Sequence, residues 1–172
     1  ISLVTGKPLL IRKFVTDSLL ITADTLYMER TISKVKAPKD SIKNQKDSIY
    51  VRAYHHIKIF KKDLQGVADS MTYTTYDSTM ILYNNPIMWS DSMQLNAREI
   101  RVHTANNSVS SFELLGSAFV IAQEDSLKFN QIKGKEIIGS FYNDTINRIH
   151  VNGNAQVAYY MKNEQKKFIA FN

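Results

Sequence analysis

A short phrase that recurs at an even spacing constrains this chain more than any other feature. Each copy opens with Asp-Ser, continues as an apolar, polar, apolar run, and starts 22 residues after the previous copy. The three copies are Asp47-Ser48-Ile49-Tyr50-Val51, Asp69-Ser70-Met71-Thr72-Tyr73 and Asp91-Ser92-Met93-Gln94-Leu95. Asp-Ser favours a turn, the alternating run is typical of a strand with one buried face, and even spacing indicates a repeat architecture. We therefore predict one β-hairpin per repeat.

The same period of two residues continues through most of the chain. Residues 112–121 are apolar enough for a strand pair or one long bent strand. Gly-x-Ala recurs at Gly66, Gly116 and Gly153, where glycine inside a strand pattern indicates a bulge or bend. No window has the spacing and caps of an amphipathic helix. We predict an all-β chain of stacked antiparallel hairpins.

Length and composition favour a single packed domain. The chain has 172 residues, of which 44% are hydrophobic and 22% charged, as in ordinary globular proteins. We expect one domain over residues 1–172, with a mobile lysine-rich loop at about 34–47 that has little to bury. Ile1 is not a natural first residue, so we expect a processed or truncated product. The net charge of +6 suits an anionic partner, but it is equally compatible with a plain solvated surface.

Several chemistries have no basis in the sequence. The chain lacks cysteine, which excludes disulfides and thiolate metal sites. No catalytic or phosphate-binding motif is present, and His55 and His56 are expected to point to opposite faces of a strand, where they cannot share an ion. Aromatic residues and lysines do not interleave on one face as a nucleic-acid site requires. We expect no enzyme, no cofactor, no metal site and no nucleic-acid partner.

One stretch of the chain resembles a known family. The stretch combines glycine-led strands, apolar alternation and apolar-x-Ala endings, and it comprises Leu64-Gln65-Gly66-Val67-Ala68-Asp69-Ser70-Met71-Thr72-Tyr73, Asp77-Ser78-Thr79-Met80-Ile81-Leu82-Tyr83, Pro86-Ile87-Met88-Trp89 and Leu95-Asn96-Ala97. It is similar to the OstA or LptA family of periplasmic lipopolysaccharide-transport proteins of Gram-negative bacteria, over roughly residues 15–160. The resemblance implies a taco-shaped β-jellyroll whose two sheets enclose an apolar groove for lipid acyl chains. It also implies domains that join end to end through sheet edges.

The resemblance leads to a specific functional expectation. The chain would be a non-catalytic periplasmic carrier that shields the acyl chains of lipopolysaccharide, with the outer membrane as a further expected place of association. Its partners would be lipopolysaccharide through lipid A, and other transport proteins or a second copy through unpaired edge strands at about 9–14 and 168–171. Unpaired edges template the addition of another strand.

Candidate site residues follow from the apolar positions and from the charge of the cargo. The expected groove residues are Val51, Ile57, Ile59, Met71, Tyr73, Met80, Leu82, Trp89, Met93, Leu95, Ile100, Phe119, Ile121, Leu127 and Phe129. Cations at the groove rim would contact lipid phosphates, and the candidates are Lys58, Lys61, Lys62 and Arg98.

Two alternatives stay open on the sequence alone. The apolar positions fit an ordinary closed sandwich core as well as a groove. The chain also fits a structural or adhesive β-solenoid that binds protein or glycan without lipid. A carrier needs an opening lined by large apolar side chains, whereas an adhesin would close it.

Overall fold

The described residues of the chain form one antiparallel sheet of 15 strands, as seen in a computed structural model, and the all-β prediction is confirmed. The structure describes residues 1–14, 17–33, 46–90, 92–106, 108–143, 145–162 and 168–171. The strands are β1 Ser2–Thr5, β2 Leu9–Lys13, β3 Ser18–Thr22, β4 Thr25–Ser33, β5 Lys46–Lys61, β6 Leu64–Thr74, β7 Thr79–Tyr83, β8 Ile87–Ser90, β9 Met93–Asn96, β10 Glu99–Ala105, β11 Ser108–Asp125, β12 Lys128–Tyr142, β13 Thr145–Asn152, β14 Gln156–Lys162 and β15 Phe168–Phe171.

Four long strands, β5, β6, β11 and β12, divide this sheet into two arms because each pairs with different neighbours along its length. Strand β6, for example, pairs with β8 through residues 64–67 and with β7 through residues 70–74. Arm A consists of β1, β4, β7, β10, β13 and residues 46–54, 70–74, 108–115 and 136–142. Arm B consists of β2, β3, β8, β9, β14, β15 and residues 57–61, 64–67, 118–125 and 128–133.

The chain bends from one arm into the other along a line that we call the corner. Pairs of consecutive residues with positive φ mark it, and they are His55 and His56, Asn84 and Asn85, Gly116 and Ser117, and Gly153 and Asn154. Glycine adopts this backbone region freely, which explains the recurrence of Gly-x-Ala at two of these bends. Backbone hydrogen bonds continue along the corner, as from Arg98 N to Gly116 O at 2.8 Å. The corner therefore folds the sheet at bulges that shift the strand register, while backbone hydrogen bonds still join neighbouring segments there.

The predicted repeat does not correspond to one hairpin per copy. Asp47 lies at the start of β5 in arm A, Asp69 lies at the corner, and the third copy spans the turn between β8 and β9. Asp91 itself is outside the described residues. The three copies therefore occupy different structural positions, and the prediction of one hairpin per repeat was wrong. Of the predicted lysine-rich loop, residues 34–45 are outside the described part, while residues 46 and 47 belong to β5.

The sheet has four edges in its described part. Strands β1 and β2 are the edges of arms A and B at one end, and β13 and β15 are the edges at the other end. Both edges predicted from the sequence, about 9–14 and 168–171, are confirmed as edges. Residues 112–121 lie within the single bent strand β11.

Candidate functional site

The face of each arm that points towards the other arm is apolar from edge to edge. Strand pairing places residues in rows across the sheet, and each row shares one face. Except for Ser2 and two glycines, every position in three such rows carries an apolar or aromatic side chain. The rows are Val4, Leu26, Ala53, Met71, Leu82, Ile100, Leu114, Ile137 and Val151, then Ser2, Met28, Val51, Tyr73, Met80, Val102, Phe112, Gly139 and Ile149 in arm A, and Leu10, Ile21, Ile59, Gly66, Met88, Leu95, Val120, Ile132 and Val157 in arm B.

This interior is packed in the middle of the sheet and exposed at its ends. One cluster of buried residues combines arm A, through Leu82 and Ile100, with arm B, through Met88. Val4 on β1 and Val157 on β14, which end two of the rows, remain roughly half exposed. The apolar interior therefore reaches the ends of the sheet without being capped there by the described residues.

One polar contact joins the two arms across their open side. Arg12, on edge strand β2 of arm B, donates a hydrogen bond from Nη1 to the hydroxyl of Tyr73 in arm A at 2.7 Å. The guanidinium also lies over the ring of Tyr73 and over that of Phe14, at 5.7 and 5.1 Å from the ring centroids. We call this contact the latch. It holds the arms together at the β1 and β2 end of the interior.

Most of the predicted groove residues lie on the inner face. These are Val51, Ile57, Ile59, Met71, Tyr73, Met80, Leu82, Met93, Leu95 and Ile100. Four others, Trp89, Phe119, Ile121 and Phe129, lie on the outer face of arm B, as their pairing with outward residues shows. Leu127 lies in the turn between β11 and β12 and is 87% exposed. For these five, the predicted inward position was wrong.

The errors fall where the sequence does not alternate. Residues 87–89 and 118–121 are continuous apolar runs, so periodicity leaves the inward set undecided, and a shift of one residue exchanges the faces. The structure turns Met88 and Val120 inward. Inward residues that the sequence reasoning missed include Phe112, Leu114 and Ile137. The available signal was the alternation of residues 112–114, where polar Glu113 separates Phe112 from Leu114.

The candidate rim cations occupy three different environments. Lys58 lies on the outer face of arm B, because its strand pairing turns it outward. Arg98 lies at the corner, where its backbone N–H donates a hydrogen bond to Gly116 O. Neither residue is therefore at the rim. Lys61 and Lys62 do lie at the tip of arm B. Lys61 is ion-paired with Asp63 and lies 3.7 Å from Asp17, whereas the Lys62 residue is exposed.

The two adjacent histidines belong to a polar network outside the corner. They sit on the bulge of β5 with positive φ, so the expected alternation across a strand does not apply to them. The Asp69 carboxylate accepts a hydrogen bond from Asn84 at 3.0 Å and lies 3.3 Å from Nδ1 of His55. These contacts, with Asn84 the larger cause, lower the pKa of Asp69. Among the described residues, no group of three or more His, Asp or Glu is placed to hold a metal ion.

Taken together, the fold and its interior define a taco-shaped β-jellyroll domain with an apolar inside. A comparison with protein families places the chain more specifically. The family of the LptA/(LptD N-terminal domain) LPS transport protein matches residues 13–108, more than half of the chain. The chain therefore belongs to this family, and it is involved in lipopolysaccharide transport. No curated protein and no solved structure matched the chain. No membrane-spanning helix occurs among the described residues.

Proposed function

We propose that the chain is a periplasmic carrier that shields the acyl chains of lipopolysaccharide between its two arms. It shields lipopolysaccharide during the transport of this lipid to the outer membrane, and it does so without catalysis. The family membership supports a role in this transport, and the interior supplies the chemistry that acyl chains require. Each methylene that leaves water for such an interior contributes about 0.8 kcal/mol.

The observation that carries the proposal is the continuity of the inner rows. An ordinary domain core ends in polar or capping side chains, because exposed apolar ends lose the benefit of burial. Here one row ends with Val4 on edge strand β1, and another ends with Val157 on β14, the strand next to edge strand β15; both residues are partly exposed. A second domain stacked on either end would continue the same apolar surface.

The edge strands supply the means of stacking. Strands β1 and β2 at one end and β13 and β15 at the other are each paired on one side within the described residues. Their free backbone groups would pair with an edge strand of a second copy or of another transport protein. Stacking of this kind would align the apolar interiors of successive domains.

Loading requires the arms to separate, because the middle of the interior is packed. Leu82, Ile100 and Leu114 have no exposed surface. Acyl chains would replace the contacts between the arms with contacts to lipid, and hydrocarbon replaces hydrocarbon at little cost. Lys62, exposed at the tip of arm B, and its neighbour Lys61 are the proposed contacts for lipid phosphates.

The packed middle also favours a second candidate, a structural or adhesive β-solenoid that binds protein or glycan outside a permanently closed core. The two candidates differ in whether lipid ever contacts inner side chains. The uncapped ends of the rows favour the carrier, since a closed scaffold gains nothing from them.

Photocrosslinking in cells separates these candidates. A photoreactive amino acid at Tyr73 or Leu95 faces the interior, and one at Thr72 faces outward from the same strand as Tyr73. We expect lipopolysaccharide to be labelled from Tyr73 and Leu95 and not from Thr72. Absence of labelling from both inner positions, or equal labelling from Thr72, would contradict the carrier function.

A further inference from the structure

The outer faces of the two arms differ sharply in chemistry. The two rows nearest the corner contain nine outward residues each in both arms. In arm A they are Thr5, Thr25, Tyr54, Ser70, Tyr83, Glu99, Leu115, Glu136 and Asn152, then Leu3, Tyr27, Arg52, Thr72, Ile81, Arg101, Glu113, Ile138 and His150. In arm B they are Leu9, Thr22, Lys58, Val67, Ile87, Asn96, Phe119, Lys133 and Gln156, then Ile11, Leu20, Phe60, Gln65, Trp89, Gln94, Ile121, Gln131 and Ala158.

Arm A has the outer face of an ordinary solvated sheet. Three of the five charged residues in its two rows form an ion-paired cluster, in which Arg101 lies 2.7 Å from Glu99 and 3.7 Å from Glu113. His103 in the next row lies 3.2 Å from the same Glu113. Arg101 donates a hydrogen bond to Glu99, and this bond, with a smaller contribution from the charge of Glu113, raises the pKa of Arg101.

The outer face of arm B has more large apolar residues and fewer charged residues than that of arm A. Half of the 18 outward positions in its two rows are large apolar residues, and several of them are well exposed, including Phe60 at 55%, Ile11 at 50% and Trp89 at 38%. None of the 18 is acidic, and the charged ones are Lys58 and Lys133. Neither lysine has an ion pair among the described residues. A contiguous apolar surface of this kind marks a site of interaction.

The side chains between the apolar residues are neutral amides. A shallow depression near the tip of arm B is lined by Trp89, Ile121 and Phe129 together with Gln94, Gln123 and Gln131. The indole of Trp89 donates from Nε1 to Oε1 of Gln94 at 2.9 Å, which fixes the ring against the sheet. Aromatic rings with a bonded polar tip, beside neutral amides, suit the boundary between hydrocarbon and headgroups.

We propose that the outer face of arm B lies against an anionic phospholipid surface. Charge complementarity selects this occupant, because the two outward rows carry lysines, exposed aromatic residues and no carboxylate, the combination that binds anionic lipid at a membrane surface. A second copy placed face to face would set lysines against lysines. The site is separate from the interior, so this proposal goes beyond the carrier function and does not depend on it.

This docking would orient the whole domain. Arm B would lie flat on the membrane with arm A facing the periplasm, and the open side between the tips of the two arms would be held beside the lipid surface. Lipid leaving or entering the membrane would then meet the interior directly. The latch between Arg12 and Tyr73 would lie at one end of this open side.

The only tryptophan of the chain, Trp89, reports directly on the proposed surface. The full chain is mixed with vesicles of phosphatidylglycerol and phosphatidylethanolamine, and separately with vesicles of phosphatidylcholine alone. We expect a blue shift of tryptophan emission, and quenching by brominated acyl chains, with the anionic vesicles only. Higher salt should weaken both effects, since the attraction is partly ionic.

Matched variants test the face itself. The double variant Lys58→Gln and Lys133→Gln should bind anionic vesicles about 30-fold more weakly, while its thermal unfolding should match that of the parent chain. The control Arg52→Gln on arm A should bind like the parent. No shift with anionic vesicles, an equal shift with phosphatidylcholine, or equal loss in the control would overturn the proposal. So would a shift caused by a soluble oligosaccharide or by self-association in the absence of vesicles.

Discussion

Replacing Ile59 with alanine tests the assignment of inner and outer faces. Ile59 lies in the inner row of arm B and is 3% exposed, whereas Ile11 lies in an outer row of the same arm and is 50% exposed. The same substitution, Ile11→Ala, is therefore a matched control. Both changes delete the same atoms, so a difference in stability reports the difference in burial.

The expected cost follows from burial and cavity formation. At Ile59, three carbon atoms leave a buried site, which costs about 2.4 kcal/mol at about 0.8 kcal/mol for each carbon. The remaining cavity raises the total to about 4 kcal/mol, within the usual range for such core truncations. At Ile11, half of the side chain is already in water and no cavity remains, so about 1 kcal/mol is expected. For a chain of 172 residues, a loss of 4 kcal/mol lowers Tm by about 8 to 16 °C.

The assay is urea unfolding followed by far-ultraviolet circular dichroism, with thermal unfolding as a second measurement. The free energy of unfolding is compared at equal m-values, so that changes in the unfolded state are recognised. A loss at Ile59 no larger than the loss at Ile11 would refute the assignment of Ile59 to the interior. The placement of the whole arm B row would then fail with it.

Three further predictions concern the interior, the corner and the latch. Gly139→Ala should lower the free energy of unfolding by about 1 to 3 kcal/mol, because the added Cβ would collide with the ring of Phe112. Adding Phe112→Leu to this variant should recover part of the lost free energy, as measured by urea unfolding. Asp69→Asn should lower the free energy of unfolding at neutral pH and reduce the loss of stability on acidification. The pKa of Asp69 is lower in the folded chain than in the unfolded chain, where it is near 4, so the ionised carboxylate stabilises the fold at neutral pH. This stabilisation is lost as the pH falls through the folded pKa. A urea midpoint at pH 3 and pH 7 checks this, and an unchanged pH dependence would contradict it. Arg12→Ala and Tyr73→Phe should each take up a fluorescent lipid A analogue faster than the parent chain, because each removes the hydrogen bond of the latch. Slower uptake in both variants would argue against a latch.

The sequence predicts the fold well wherever a strand has one polar and one apolar face. Ile49 to Ala53 alternates cleanly, and Val51 and Ala53 are buried as the pattern requires. The edges at β2 and β15 were also predictable. The bends were recognised only through glycine, and the corner at His55 and His56 had no such signal.

The candidate site was harder to predict, and for a definite physical reason. Periodicity identifies an inner face only when the outer face is polar, and parts of arm B, at residues 87–89 and 118–121, are apolar on both faces. Trp89 and Phe119 were predicted to face the interior as apolar positions, but Met88 and Val120 occupy it. The loss of alternation was itself a signal, because it indicated a second surface that water does not fully cover.

The corner has a mechanical consequence. Four continuous strands contribute to both arms, and the residue pairs with positive φ lie where two of these strands, β5 and β11, bend and where β7 connects to β8 and β13 to β14. We infer that this line is a hinge between the arms. Rotation about this hinge would change the width of the slot while each arm keeps its own cross-strand amide bonds. The arms could then separate to admit bulky lipid and close again after its release without loss of strand pairing within either arm. Amide hydrogen exchange within each arm would therefore stay slow during opening and closing.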